Sequence, residues 1–515
     1  MASKLLSIPA ELLASIADEL DIIDYGSLRL CCRQAEQYTF PYFAKKFFSS
    51  RKFFRGHLSL STLLTISESR FSPYLETVII STTRLDNDPP SESDSIIKEA
   101  FIQAHAEQTS IIASGWDRDM LVAAFENLPN LTGIAAEAFN DCENWDFETA
   151  QYTSENDGGY GLKTLLRDLR FEQGRPPRQI GATNHWVVTV QMLLAAAAKA
   201  NVRPKTLCIG RGRRERGIYQ PTELAGVDDD AFNIPLFMRQ AMLPVIEGLE
   251  ELDLHVRNRY IYPSPDNPAC CRTSHLREFL GLPTRLQKLR IHRLFGGNHN
   301  YADSSEQGDD FWSWMGQDRK GKDKAPAGQQ GAPTSTSSGL NAMVSPAPIA
   351  FPHLQELEIG KQDVQQEDLL RLLRKVSPTL QKLSLHDLIL RDRQTETSDD
   401  FDDVVKVEVD LWAGLCGKLA ALPWEELYEV SFSGLGALGN WHLREFGDTF
   451  TQPDSVYFKV LRISGEDLST AQAEFSYKGP DVRNALRQLA DDLRAAMRDG
   501  RHVFNAEPVK RRCSF

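Results

Sequence analysis

Short runs of alternating apolar and polar residues recur along this chain, and most of them follow a proline. The unit is a proline, one to three residues, and then Leu-x-x-apolar-x-apolar, as at 352–359 and 378–385. Proline ends a preceding helix and sets a turn, and the period of two then predicts a short strand with one buried face. The first apolar residue of each predicted strand core is Val78, Ile134, Leu207, Leu252, Leu289, Leu357, Leu383, Val430 or Leu461.

Segments with a helical spacing of apolar residues lie between these predicted strands, at 120–127, 186–200, 235–248, 274–282 and 368–376. A single strand and helix cannot close a core, so such units must stack on their neighbours. This alternation resembles the leucine-rich repeat in an irregular form, because the spacing between copies is uneven. The resemblance implies an α/β fold, a solenoid with parallel strands on its concave face. A doubly wound α/β domain is the alternative fold.

The first fifty residues have a different pattern, which predicts short helices. Pro9 and Glu11 are favourable in the first turn of a helix, and an apolar stripe runs through Ile8, Leu12, Leu13, Ile16 and Leu20. Residues 24–26 are expected to separate this helix from a second one. A third helix is predicted over 34–43 despite Pro41. Two or three such helices bury little by themselves, so a partner is expected.

Residues 4–48 contain a recognisable motif. They read Ile8-Pro9-x-Glu11-Leu12-Leu13-x-x-Ile16-x-x-x-Leu20 and then Ser27-Leu28-Arg29-Leu30-x-Cys32-Arg33, which resembles an F-box. Ile8 replaces the usual Leu, and Asp24-Tyr25 stands where Asp-Leu is common. The resemblance implies docking on the Skp-type adaptor of a cullin–RING ubiquitin ligase, through Ile8, Pro9, Leu12, Leu13, Ile16, Leu20, Leu28 and Leu30. The alternative is a plain helical hairpin that packs on the rest of the chain.

Composition and charge narrow the classes of function. The 515 residues are 41% hydrophobic and 25% charged, as in globular proteins. The net charge of -13 argues against nucleic acid and anionic membranes as partners, because both require clustered Lys and Arg. A basic, Phe-rich stretch at 29–55 is expected to pack its Phe face on the next domain; nucleic-acid binding is the less favoured interpretation.

The cysteines and the lengths of the apolar runs indicate where in the cell the protein is expected. The chain has eight cysteines and no Cys-x-x-Cys motif, which favours free thiols in a reducing environment. No apolar run approaches the roughly 20 residues that a membrane-spanning helix needs. We therefore expect a cytoplasmic or nuclear location and no membrane partner.

One segment interrupts the predicted repeats. Residues 297–350 are rich in Gly, Ser, Pro, Gln, Asp and Lys, which predicts disorder. Its aromatic residues Phe311, Trp312 and Trp314 are expected either to contact the repeats or to form a short partner motif. The predicted organisation is an F-box at 1–50, repeats at 51–296, the insertion at 297–350, and further repeats at 351–515 that end in a capping helix over 480–498.

Three histidines occupy equivalent positions in the repeats. His255, His292 and His386 each directly follow the apolar core of a predicted strand, and the period of two predicts that they lie on its exposed face. Adjacent strands are about 4.8 Å apart, so His255 and His292 are expected to be neighbours. They are interpreted either as ordinary solvent-facing residues or, with Arg290, as candidate substrate contacts. No metal site is predicted, because the sequence does not show three or four ligands in a compact shell.

The remaining motifs do not predict catalysis. Gly434, Gly436 and Gly439 form a Gly-x-Gly-x-x-Gly pattern, but no second strand with an acidic end follows convincingly, so no nucleotide cofactor is expected. We therefore expect a non-catalytic substrate-receptor subunit that binds the adaptor at one end and an unknown protein substrate along the repeats. A repeat scaffold outside any ligase is the alternative function.

Overall fold

The chain divides into two units in a computed structural model. The first is Met1–Val227 with Ile234–Leu249, and the second is Asp228–Asn233 with Glu250–Phe515. The structure describes residues 8–9, 12–13, 15–16, 19–20, 22–85, 95–137, 145–146, 151–152, 185–210, 227–258, 274–295, 311–318, 346–391, 401–433 and 474–498. None of the helices that it describes is long and apolar enough to cross a membrane.

The first unit contains four parallel strands, in the order β1, β2, β3 and β6. The strands are β1 (Ser50–Phe53), β2 (Thr77–Ser81), β3 (Gly133–Glu137), the short antiparallel pair β4 (Trp145–Asp146) and β5 (Gln151–Tyr152), and β6 (Thr206–Ile209). The helices are α1 (Ile22–Leu30), α2 (Arg33–Phe48), α3 (His57–Ser67), α4 (Ser95–Ser114), α5 (Trp116–Glu126), α6 (Trp186–Lys199) and α7 (Leu236–Glu247), with a 3₁₀ turn at Ser72–Tyr74. Val78, Ile134 and Leu207 stand side by side and are fully buried.

The second unit contains five parallel strands and one antiparallel strand. The strands are β7 (Glu251–Asn258), β8 (Lys288–Phe295), β9 (Glu356–Gln365), β10 (Lys382–Arg391), β11 (Glu429–Ser433) and the antiparallel β12 (Glu474–Lys478). The helices are α8 (Ser274–Leu280), α9 (Phe311–Gly316), α10 (Gln366–Val376), α11 (Phe401–Ala420) and α12 (Val482–Arg498), with a 3₁₀ turn at Asp229–Phe232. Helix α10 packs against β9 and α11 against β10.

Equivalent residues of the second unit stand in register and form its core. One apolar row crosses the sheet through Leu252, Leu289, Leu357, Leu383 and Val430, and these side chains are almost completely buried. The protein therefore has an α/β fold with mostly parallel strands. Each predicted strand core except Leu461, which is outside the described residues, lies in a parallel strand. Strands β1, β4, β5 and β12 do not follow the repeat pattern and were not predicted.

The N-terminal helices differ from the prediction at two points. Residues 24–26 lie inside α1 and do not end a helix, because the Tyr25 side chain is buried there and its hydroxyl donates to the Thr39 carbonyl at 3.1 Å. The Tyr25 ring packs 5.3 Å from Phe43. Helix α2 is longer than the predicted 34–43 and includes Pro41. Its Phe residues pack within the unit, as expected for the basic stretch; Phe48, for example, stacks on Phe71.

Part of the predicted disordered insertion is ordered. Residues 311–318 contain α9, whose aromatic side chains are buried and which packs on α10. The Trp314 indole donates to the Pro346 carbonyl at 2.8 Å, and the Lys375 ammonium donates to the Met315 carbonyl at 2.9 Å. The expected contact of the aromatic island with the repeats is therefore present. The rest of the insertion, apart from 346–350, is outside the described residues.

Candidate functional site

Two rows of polar residues cross the sheet of the second unit on the face opposite the apolar core. They arise because side chains alternate along a strand, so the residue after each core leucine points the other way. The first row is Asp253, Arg290, Glu358, Ser384 and Ser431, and the second is His255, His292, Gly360 and His386. We call them the polar rows. The structure thus brings together all four candidate substrate contacts of the sequence analysis.

The polar rows are buried, which corrects the expectation that the histidines are exposed. His255, His292 and His386 are 3%, 1% and 6% exposed, and Asp253 and Glu358 are also buried. Arg290 is the most accessible ionisable group of the two rows, with a side chain 32% exposed. Buried imidazoles cannot serve as a direct contact surface for a large substrate. The alternation of side chains along each strand correctly placed the histidines on the face opposite the apolar core. It did not indicate that this face is buried.

His255 and His292 form a stacked pair, as their neighbouring positions on β7 and β8 predict. Their ring centroids are 4.7 Å apart and their planes differ by 16°. The ring of His292 lies over Gly360, its partner on β9. A Cβ atom at residue 360 would lie only 2.5 Å from His292 Nδ1. The absence of a side chain at Gly360 therefore makes room for this ring.

Carboxylates flank the histidines. His255 Nε2 lies 3.5 Å from Asp253 Oδ1, and His292 Nε2 lies 3.2 Å from Glu358 Oε1. The same Glu358 oxygen is 3.6 Å from His386 Nε2. Burial alone would raise the pKa of Asp253, but the contact with His255 and the positive charges around it outweigh burial and lower the pKa to about 2. Asp253 is therefore ionised at neutral pH.

Arg290 lies between these carboxylates. Its Nη1 atom is 2.8 Å from Glu251 Oε1 and 3.6 Å from Asp253 Oδ2, and its Nε atom is 3.6 Å from Glu358 Oε2. Burial would lower the pKa of Arg290, but the charges of four acidic residues outweigh burial and raise it, namely Asp253, Glu251, Glu358 and Glu356. The guanidinium thus contacts three acidic side chains within 4 Å, and the charge of Glu356 acts on it as well.

The arrangement offers ligands for a cation. The ligand atoms of Asp253, His255 and His292 all lie within 4.8 Å of one another. Imidazole nitrogen and carboxylate oxygen are typical ligands of zinc and related divalent ions. Gln362 follows Gly360 on the same face, is 2% exposed, and has no hydrogen-bond partner for either amide atom within the described part of the chain. An unsatisfied buried amide is rare in folded proteins and indicates a polar occupant.

Sequence reasoning missed Glu358 and the role of Gly360. Glu358 sits between Leu357 and Ile359, as Arg290 sits between Leu289 and Ile291. Aligning the strand cores of the repeats would have placed Glu358 in the same row as Arg290. The proposed adaptor-facing residues lie elsewhere, in the first unit.

Those residues fall into three groups by exposure. Leu12, Ile16 and Leu30 are 58%, 49% and 88% exposed, and Pro9 is also exposed. Ile8, Leu20 and Leu28 are partly buried, and the latter two pack against Tyr25 and Phe43. Leu13 is 1% exposed and belongs to the interior.

No protein-family model matches this chain, and no curated protein matches it significantly. The resemblances to the F-box and to leucine-rich repeats therefore rest on the residue patterns alone.

Proposed function

We propose that this chain is the substrate-receptor subunit of a cullin–RING ubiquitin ligase, which docks on a Skp-type adaptor through its N-terminal helices. The observation that supports the proposal is the exposure of Leu12, Ile16 and Leu30 within a motif that resembles an F-box. Large exposed apolar residues that cluster in a short segment are typical of an interaction surface.

Among the described residues of this helical module, Leu12, Ile16 and Leu30 do not belong to the packed centre. Tyr25 and Phe43 form its buried centre, and Leu20, Leu28, Phe47, Phe48 and Phe71 pack around them. Burial of Leu12, Ile16 and Leu30 therefore requires a partner. Leu13, by contrast, is buried and contributes to packing, not to a docking surface.

Arg70 attaches the module to the rest of the first unit through Glu36, which also pairs with Arg29 inside the module. Glu36 pairs with Arg29 at 3.0 Å and with Arg70 at 2.5 Å. The hydrogen bond from Arg70, and next that from Arg29, outweigh burial and lower the pKa of Glu36. Arg70 also lies 3.9 Å from the centre of the Phe40 ring, in a cation–π contact. A module attached in this way would hold a bound adaptor at a defined place on the first unit.

The second half of the proposal concerns the repeated strand–helix units. Stacked units of this kind form an irregular solenoid in proteins with leucine-rich repeats, and solenoids present extended binding surfaces. A substrate held there and a ligase held at the N-terminus would have a high effective concentration for each other. The chain itself then needs no catalytic residue, and it acts where such ligases are found, in the cytoplasm or nucleus.

Adaptor binding tests the proposal. The full chain is mixed with purified Skp-type adaptor, and the affinity is measured by calorimetry for wild type, Leu12→Asp with Ile16→Asp, and Leu30→Asp. We expect the charged variants to lose at least about tenfold in affinity, because each buries an unpaired charge at the contact. A matched control is Leu236→Asp with Phe237→Asp, since those residues are 83% and 87% exposed and lie outside the motif.

The outcomes separate the proposal from its alternatives. Binding by wild type and by the control, with loss in the N-terminal variants, supports the adaptor interface. No binding by wild type, or equal binding by all variants, would leave a plain helical hairpin. Adaptor binding without association of cullin would instead favour a repeat scaffold outside the ligase.

A further inference from the structure

We propose that the polar rows bind one divalent transition-metal ion of the zinc class, with Asp253, His255 and His292 as ligands and Glu358 as the fourth. The inference does not rest on adaptor docking, because all four residues belong to the second unit. The ligands come from β7, β8 and β9. A metal ion there would hold three strands together on the face that the apolar core does not stabilise.

Two pairs of donor atoms already have the separation that a metal shell requires. Bonds of about 2.0–2.1 Å in a tetrahedral zinc site place neighbouring donor atoms about 3.4 Å apart. His255 Nε2 and Asp253 Oδ1 are 3.5 Å apart, and His292 Nε2 and Glu358 Oε1 are 3.2 Å apart. Both distances are at or beyond the upper end of an N–H···O hydrogen bond. They match the edges of a tetrahedral shell.

Closure of the full shell requires side-chain movement, because Glu358 contacts His292 but is not part of the cluster of mutually close ligand groups. The ligand atoms of Asp253, His255 and His292 lie within 4.8 Å of one another, and the two imidazole planes are nearly parallel. Nitrogen lone pairs lie in the ring plane, so one ring must rotate for both to point at the same ion.

The charges of the site favour a dication. Glu251, Asp253 and Glu358 supply three negative charges, and Arg290 supplies one positive charge. Among the described residues, acidic groups therefore outnumber the one guanidinium on this face, and a divalent ion would offset that formal excess.

Arg290 is a competitor for the same carboxylates. Its Nη1 and Nε atoms are both 3.6 Å from a carboxylate of the proposed shell, and Nη1 has a nearer partner in Glu251 at 2.8 Å. The partly exposed guanidinium of Arg290 can turn toward Glu251 when a metal binds. Its positive charge still opposes the ion, so removing it should tighten binding.

Cobalt and zinc titrations of the metal-stripped full chain test the site. Wild type should bind one equivalent of Co²⁺ with the intense visible absorption of tetrahedral coordination and without a thiolate charge-transfer band, and Zn²⁺ should displace it. His255→Gln and His292→Gln should each lose this equivalent. His353→Gln is the matched control, because His353 is exposed and lies outside the polar rows. Circular dichroism checks that each variant is folded.

Arg290→Gln keeps the test decisive if a ligand variant fails to fold. It leaves every proposed ligand in place and should bind Zn²⁺ at least about tenfold more tightly, because a nearby positive charge is removed. The proposal is overturned if folded wild type binds no stoichiometric metal, if the cobalt spectrum shows thiolate ligands, or if Arg290→Gln binds no more tightly than wild type. The proposal would also be overturned if the stability of the protein depends on pH but the protein takes up no metal.

Discussion

His292 lies over Gly360 so closely that a methyl group at residue 360 would stand 2.5 Å from its Nδ1 atom. We therefore expect Gly360→Ala to displace the His292 ring and destabilise the second unit by roughly 1–3 kcal/mol, as overpacking of a tight site does. Hydrogen exchange of the β8 and β9 amides measures this local free energy of opening.

Gly414→Ala is the matched control for that substitution. Gly414 lies in α11, and among the described residues a Cβ atom there meets only Gln366 Nε2, at an ordinary 3.8 Å. Alanine also favours a helix over glycine by up to about 1 kcal/mol. Faster exchange in Gly414→Ala but not in Gly360→Ala would contradict the steric argument.

A buried ion pair joins separate elements of the first unit. Arg55 contacts Asp117 Oδ2 at 2.5 Å and the Thr189 hydroxyl at 3.1 Å, and Arg55 and Asp117 are each 2% exposed. We expect Asp117→Asn to cost roughly 3 kcal/mol or more, because it leaves a buried guanidinium without its counter-charge. Hydrogen exchange of α5 and α6 provides the measurement.

The neighbouring Asp119 offers the comparison. It pairs with Lys199 at 3.2 Å, but both side chains are exposed, and exposed pairs contribute little. Asp119→Asn should leave the exchange rates unchanged. Equal changes in hydrogen exchange for Asp117→Asn and Asp119→Asn would show that burial does not determine how much the Arg55–Asp117 pair stabilises the first unit.

His185 makes the stability of the first unit depend on pH. Burial, followed by the charges of Arg55 and Arg84, lowers the pKa of His185 to about 4 from its ordinary 6.5. Between these values the unfolded chain binds a proton that the folded chain does not. The stability contribution is therefore complete above pH 6.5, falls as the pH drops from 6.5 to about 4, and changes no further below that.

Urea unfolding across this pH range measures the effect. His185→Gln should flatten the dependence between pH 6.5 and 4, whereas His57→Gln, at an exposed residue, should leave it intact. The same slope in all three proteins would mean that other groups cause the loss of stability.

The two tryptophans of α9 are expected to respond differently to replacement by phenylalanine. Trp314 donates to the Pro346 carbonyl at 2.8 Å, whereas the buried Trp312 indole N–H has no partner within the described residues. Trp314→Phe should therefore lower the unfolding free energy by about 1 kcal/mol more than Trp312→Phe. The difference in urea unfolding midpoints tests this, and a more damaging Trp312→Phe would contradict it.

The strands were predictable because their signal is local. A proline followed by alternating apolar residues, as before Leu357 and Leu383, specifies a strand and its buried face without knowledge of the rest of the chain. Strand β12 could not be found in this way, because its antiparallel pairing with β11 depends on a distant segment. Helix α9 was not predicted, because the polar composition of the surrounding segment predicts disorder. The few aromatic residues of α9 are buried through contacts that the local sequence does not reveal.

The candidate site was half predictable. Equivalent positions in adjacent strands brought His255 and His292 together as expected, and alternation gave the correct face. Burial of that face was not predictable, because it depends on what covers the sheet. The row position of Glu358 could have been predicted by aligning the strand cores, since Leu289 pairs with Leu357 and Arg290 with Glu358, but its contacts with the two histidines depend on side-chain conformation.

The contacts of Arg290 with Glu251, Asp253 and Glu358 have a consequence for how this face can change. Residues that share a partner do not contribute independent free energies, and their double mutants depart from additivity. A substitution at one of these positions alters the environment of the others across three strands. Substitutions at the polar rows should therefore be tolerated mainly when a contacting residue is replaced as well. During evolution, the residues of this face would then change together and not one at a time.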